Sequence, residues 1–239
     1  MKDLLYYETC NGSTQDKILQ HLSAHSSDFT ALYTLNQENG RGQYGNTWEN
    51  TAFRNLAFTI AVKTSVFHNS VNLINFRTAN AVRQFVDNLT QKDIKIKWPN
   101  DLILNNKKIA GMITEVHKSE NESFYIIGIG ININQENFEH LPKASSLLLE
   151  TGKEFDCKKF AEQLFDFLKT EFSLPHTDDE ILHEFNKHLF RKHEISVFQK
   201  KSSRQNGIIK MADKEGFLWI DLAQDGLQKF FHKEIEMLY

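Results

Sequence analysis

The stretch Gln37-Glu38-Asn39-Gly40-Arg41-Gly42-Gln43-Tyr44-Gly45-Asn46-Thr47-Trp48 sets three glycines around one arginine. Strand-like runs flank it, residues 29–36 before and 55–62 after, the second apolar enough to be buried. Glycines let several backbone N–H groups close on a ligand, and Arg41 adds a planar fork of donors suited to phosphate or carboxylate. Such a loop suits an anion, although a glycine-rich loop between strands is weak support for any one function. It is not the dinucleotide fingerprint, which opens a helix directly after a strand, whereas Trp48 leads into another strand-like run.

Working outward, a second chemistry-rich stretch is Lys97-Trp98-Pro99-Asn100-Asp101-Leu102, followed by Lys107-Lys108-Ile109-Ala110-Gly111. Residues 94–98 alternate as a half-buried strand that ends at Pro99, which has no N–H for a ladder. Asn105-Asn106 tolerates left-handed backbone and predicts a tight hairpin between 102–104 and 107–109, folding Lys108 back toward Asp101. Residues 111–117 and 123–134 read as a further antiparallel pair. Gly128 and Gly130 weaken its second strand, which fits either a bulge or the close approach of a ligand or backbone.

The spacing predicts helices as well. Ser13 or Thr14 caps one that runs through Ile18, Leu19 and Leu22, with Asp16 in its first turn. Residues 71–89 carry apolar side chains at helical intervals, and helices are also expected over 157–172 and 178–190. After Phe190 the pattern shifts to short strands, 195–198, 207–211, 217–222 and 227–231, which predicts a small β-barrel appendage and a division into 1–190 and 191–239.

A chain of 239 residues buries a core without staples, and Cys10 and Cys157 have no metal-type spacing, so a reducing cytoplasm is the expected setting. Lysine and arginine number 28 against 31 acidic residues, which argues against broad nucleic-acid binding. No apolar run approaches the roughly 20 residues that span a bilayer, and no signal-type core opens the chain, so no membrane partner is expected.

Gly40-Arg41-Gly42 with Gly45 and Trp48, the run from Lys97 to Leu102, Lys108-Ile109-Ala110-Gly111 and Gly128-Ile129-Gly130-Ile131-Asn132 resemble, in order and spacing, the biotin protein ligases. The motifs cover about residues 13–134, and the trailing β-region agrees. The resemblance implies an α+β fold: a mixed, largely antiparallel sheet flanked by helices, followed by an SH3-like β-barrel. It implies an enzyme that makes biotinyl-5'-AMP from biotin and ATP with Mg2+, releasing pyrophosphate. Biotin then passes to one lysine of the carboxyl carrier domain of a biotin-dependent carboxylase. No redox cofactor is implied, and the chain is expected to be a monomer or weak homodimer.

Carried over by position, Ser13, Thr14 and Gln37 bind the biotin head, Gly40 and Gly111 admit its close approach, and Lys108 faces its carboxylate. Arg41 clamps the phosphates and also borders biotin, Trp48 stacks on adenine, and Asn132 reads the adenine edge. Asn100 and Asp101 hold Mg2+ or steer the incoming amine. The chain departs from the family at Gln43, where many members have arginine, so the loop is expected to retain the adenylate less firmly. The competing reading is a lipoate or octanoate ligase or transferase of the same fold. A DNA-binding repressor is not expected, because about a dozen residues before Ser13 are too few for a helix-turn-helix.

Overall fold

The structure is a computed structural model that describes residues 4–9, 12–22, 27–38, 40–42, 47–48, 51–118 and 122–239. Gln43, Tyr44, Gly45, Asn46 and Cys10 lie outside the described residues, and with them the expectation for Gln43.

In chain order the first half contains β1 (Leu4–Tyr7), α1 (Thr14–Lys17), β2 (Phe29–Thr34), the short hairpin β3 (Gly40–Arg41) and β4 (Thr47–Trp48), then β5 (Leu56–Lys63) and α2 (Val71–Thr90). Next come β6 (Lys95–Lys97), β7 (Asp101–Leu104), β8 (Lys107–Lys118), β9 (Ser123–Ile131), α3 (Leu147–Thr151), α4 (Cys157–Ser173) and α5 (Asp178–Lys187). Seven strands form one sheet in the order β1-β2-β5-β9-β8-β7-β6. Only β1 and β2 run parallel, so the sheet is mixed and largely antiparallel as expected.

The remaining chain supplies β10 (Ile195–Lys200), β11 (Ser203–Ala212), β12 (Leu218–Leu222), β13 (Gly226–Phe230) and β14 (Glu236–Leu238). These form a second sheet of five strands in the order β13-β12-β11-β10-β14, consistent with the SH3-like expectation.

Strand alternation places Phe58, Ile60 and Val62 of β5 and Ile127, Ile129 and Ile131 of β9 in the main core with α2, α4 and α5. Stacked rings of Phe76 and Phe185, with centroids 4.0 Å apart, join α2 to α5. The guanidinium of Arg77 donates to the carbonyls of Glu171 and Leu174, tying α2 to the end of α4. On the other face of the sheet Ile18 packs with Leu32, Ala61, Phe124 and Ile126.

The first helix is shorter than its sequence suggests. Four residues are α-helical, after which Ile18–His21 tightens into a 3-10 turn. Ile18 is fully buried against the sheet, and that packing overrides the apolar spacing of Leu19 and Leu22. Likewise β9 stops at Ile131: the Asn132 N–H still donates to the carbonyl of Ile109 in β8, but the Asn134 N–H donates to that of Arg54, ahead of β5. Among the described residues no helix is long and apolar enough to cross a membrane.

Candidate active site

The sheet face opposite α2 and α4 carries small residues in register. Ala57 pairs with Gly130 and Gly130 with Gly111, while Thr59 pairs with Gly128. Their small size opens a cavity of about 150 Å³ above the sheet. Around it the structure gathers most of the expected residues: Ser13 and Thr14 from the start of α1, Gln37 and Arg41 before and in the glycine loop, and Trp48 from β4. Asn100, Asp101, Lys108 and Gly111 close it from β7 and β8.

The hydroxyl and amide groups of the cavity are ordered by hydrogen bonds among themselves and to the backbone. Ser13 caps α1, its hydroxyl oxygen accepting from the Gln15 N–H at 3.3 Å. The Thr14 N–H donates to Oε1 of Gln37 at 3.2 Å, and the Thr59 hydroxyl donates to that of Thr14 at 2.8 Å. Thr59 is fully buried in β5, so it fixes Thr14 from below. Sequence reasoning did not single out Thr59, whose strand pattern alone marks it as structural.

Lys108 Nζ lies 2.7 Å from Asp101 Oδ1 and 5.5 Å from the centre of the Trp48 ring. Gly111 leaves room for the pair, since a Cβ there would stand 3.2 Å from both charged atoms. The Arg41 guanidinium pairs with Asp16 at 2.8 Å and more loosely with Glu115 at 3.7 Å, both exposed contacts. Such exposed pairs are weak, worth at most about 1 kcal/mol, so a phosphate can draw Arg41 away from them.

Gly128 and Gly130 receive a definite explanation. The β5-β9-β8 register runs unbroken through both, so neither marks a bulge. A Cβ on Gly130 would lie 2.5 Å from the Trp48 ring, and one on Gly128 would lie 2.9 Å from the Gln15 side chain. The glycines admit two side chains of the same chain to the cavity floor. Gly40, which is not among the lining residues, has a similar task, because a Cβ there would stand 2.6 Å from Gln37 Nε2 and from the Trp48 carbonyl oxygen.

Two expected residues sit differently. Asn132 is not among the cavity-lining residues, and its amide nitrogen donates to the Ser145 carbonyl at 2.9 Å, bracing the turn after β9. Asn100 borders the cavity, but its amide nitrogen donates to the Met112 carbonyl while the Met112 N–H donates back to the Asn100 carbonyl. That double link seats Asn100 against β8 and leaves Asp101 as the carboxylate facing Lys108.

The second sheet also reaches the site. His232, between β13 and β14, lines the cavity and packs edge-on against Trp98, with ring centres 5.8 Å apart. Burial pushes its imidazole below the ordinary histidine range, Asp101 opposing and Lys97, Lys233 and Lys108 reinforcing the shift. Burial likewise lowers Lys97, against the pull of Asp101. No motif marked His232, because its place depends on how the two sheets pack.

Comparison with known proteins agrees with this geometry. Residues 10–132 match the biotin/lipoate A/B protein ligase family. The chain is 24% identical to the bifunctional ligase/repressor BirA of Bacillus subtilis over 246 residues, covering 98% of this chain and 74% of that protein. It is 30% identical over 142 residues to a biotin–[acetyl-CoA-carboxylase] ligase of Mycobacterium tuberculosis, covering 57% of this chain and 52% of the relative. In fold it resembles the biotin protein ligase from Aquifex aeolicus solved in complex with biotin and ATP, with a TM-score of 0.80, 22% identity, and coverage of 100% of this chain and 99% of the other. A family match over more than half of the chain, on a fold and cavity that suit it, shows that this chain belongs to the biotin/lipoate A/B protein ligase family.

Proposed function

We propose that the chain is an ATP-dependent biotin protein ligase. The observation that carries the reading is the shared cavity: Arg41 and Lys108 line it together with Ser13, Thr14 and Gln37. Two cations beside hydroxyl and amide groups suit a substrate with a hydrogen-bonding head and an acid tail, and the named relatives point to biotin. The reading assigns catalysis to 1–190 and gives 191–239 a supporting wall.

In the first step the biotin carboxylate oxygen attacks the α-phosphorus of ATP, the bond to the β-phosphate oxygen breaks, and pyrophosphate leaves with the electron pair. Two anions must meet, so fixed positive groups offset their repulsion and the charge that develops. Lys108, a compact point charge, follows the carboxylate as it becomes an acyl phosphate, and Arg41 takes the phosphates through its fork of donors. Trp48, whose ring covers Gly130, supplies the flat aromatic surface on which an adenine would stack.

The donor set fits a magnesium ion that arrives with the nucleotide. Among the described residues no group of three or more His, Cys, Asp or Glu is arranged to hold a metal alone, whereas magnesium typically takes one or two carboxylates plus substrate phosphates. Asp101 would hold it, braced by Asn100, and the ion would offset phosphate charge.

In the second step an acceptor lysine attacks the acyl carbon. The C–N bond forms, the C–O bond to phosphate breaks, and AMP departs, while the two protons lost from the ammonium pass to phosphate and solvent. The acceptor is the carboxyl carrier domain of a biotin-dependent carboxylase, and lipoate and octanoate are the competing acids. Incubating the protein with ATP, magnesium, a carrier domain and each acid in turn tests this by mass spectrometry. Biotinylation of one carrier lysine is expected, and acylation by lipoate or octanoate in preference to biotin contradicts it.

A further inference from the structure

A second cavity, of about 540 Å³, opens between the two sheets and shares Asp101 and His232 with the first. Lys97, which ends β6 and stands opposite Asp101 in the β6-β7 ladder, lines it. Lys97 Nζ lies 5.4 Å from the ring centre of Tyr239, and the same ring has Lys143 Nζ at 4.6 Å and the Arg191 guanidinium carbon at 5.9 Å. Among the described residues none of these three cations has an ion pair or a side-chain hydrogen bond. Lys143 is tied to the active site through its backbone, its carbonyl accepting from the Lys108 N–H at 2.7 Å. A ring face stabilises one cation by about 0.5–1 kcal/mol at a partly exposed position, and three like charges around it repel one another on a comparable scale. An anion shared among the three offsets that repulsion.

We propose that Lys97, Lys143 and Arg191 form the site that receives the β- and γ-phosphates of ATP and holds the pyrophosphate as it leaves. The inference rests on the ligase reading and extends it. When the bond between the α-phosphorus and the bridging oxygen breaks, that oxygen keeps the electron pair, and negative charge builds on the departing pyrophosphate. Positive groups fixed on that side lower the barrier, and three cations from separate parts of the chain match a charge spread over two phosphates. Lys108 meets the acid and Arg41 approaches from the glycine loop, so the cluster at Tyr239 supplies positive charge on the leaving side. The other anion that such a cluster could take is an acidic patch on the carrier, and the two half-reactions separate these cases.

The test compares the wild type with Lys97→Met, which keeps an apolar stem and removes the charge, and reads the two steps separately: biotin-dependent ATP–pyrophosphate exchange, and transfer from added biotinyl-5'-AMP to the carrier domain. KM for pyrophosphate and for ATP is expected to rise about tenfold, as for loss of one charge-assisted hydrogen bond. KM for biotin, and the rate and carrier KM of the transfer step, should stay within about twofold. An unchanged KM for pyrophosphate overturns the proposal and leaves the ligase reading intact. So does an equal slowing of both steps, which marks displacement of Asp101 only, and so does a raised carrier KM alone, which assigns the cluster to an acidic partner surface. No biotin-dependent exchange by the wild type overturns both. Should Lys97→Met fail to fold, Lys143→Met, at an exposed position, carries the same comparison.

Discussion

Lys108 and Asp101 hold each other at 2.7 Å on the rim of the cavity, so removing the lysine both deletes a cation and bares a carboxylate where an anionic acid must enter. Lys108→Ala is expected to lower biotin-dependent pyrophosphate exchange by roughly a hundredfold or more, in line with the loss of one charge-stabilising group. Its stability should change by no more than about 1 kcal/mol, because the pair is partly exposed. Near-normal exchange by a folded variant counts against the role of Lys108. Gln43 belongs at this scale too, as the neutral residue where an arginine is common in the family. Introducing Gln43→Arg should slow release of the adenylate, since charged donors bond about twice as strongly as neutral ones. Unchanged or faster dissociation, followed by trapping the released adenylate, goes the other way.

At the scale of elements, the glycine loop matters through what lies beneath it. Gly130→Ala puts a methyl group against the rigid indole of Trp48, which unlike a flexible side chain has no alternative but to move. We expect KM for ATP to rise about tenfold with a smaller effect on biotin, as for loss of one aromatic stacking partner; equal effects on both substrates would assign Trp48 to the acid. A control lies far from the site, where Thr177 and Glu180 form a reciprocal capping box at the start of α5. Thr177→Ala should cost about 1 kcal/mol in urea denaturation and leave exchange unchanged. These elements differ in how far their sequence announced them. Helix α2 and strands β2, β5 and β9 follow directly from apolar spacing, and the Asn105-Asn106 turn from its tolerance of positive φ, which the structure has at both positions, whereas the expected pieces 107–109 and 111–117 prove to be one strand, β8, that pairs with β7 at its start and with β9 from Ala110 onward. Strands β1 and β14 and helix α3 carry no comparable signal, being three to five residues long and fixed by what they pair with or pack on. The tasks of Gly128 and Gly130 were half legible: an unusual strand glycine is visible in sequence, but the side chain that fills its place is not.

Across the whole molecule the two sheets are joined close to the site. The Trp98 indole N–H donates to the Gly216 carbonyl at 3.2 Å, Asn72 donates to the Glu215 carbonyl at 2.7 Å, and His232 reaches the cavity. Burial depresses both His232 and His188 at the end of α5, where Arg83 adds to the shift and Glu184 opposes it. The unfolded chain therefore binds protons that the folded chain refuses, and stability should fall as pH drops below about 6.5 toward the lowered folded values. A lower urea midpoint at pH 5.5 than at pH 8, with part of the difference removed in His188→Gln, is the expected result; an undiminished difference in that variant excludes His188 as a source. The motif residues Arg41, Asp101, Lys108, Ser13, Thr14 and Gln37 could be chosen from the sequence by resemblance, whereas Thr59, Gln15 and His232 come into view only when distant strands are brought together. The account stands on one act of chemistry in the cavity they enclose. Exchange of labelled pyrophosphate into ATP by the purified chain tests it most directly: the label should enter ATP when biotin is present and remain outside when biotin is omitted or replaced by lipoate, and a folded protein that exchanges no label with biotin contradicts the account.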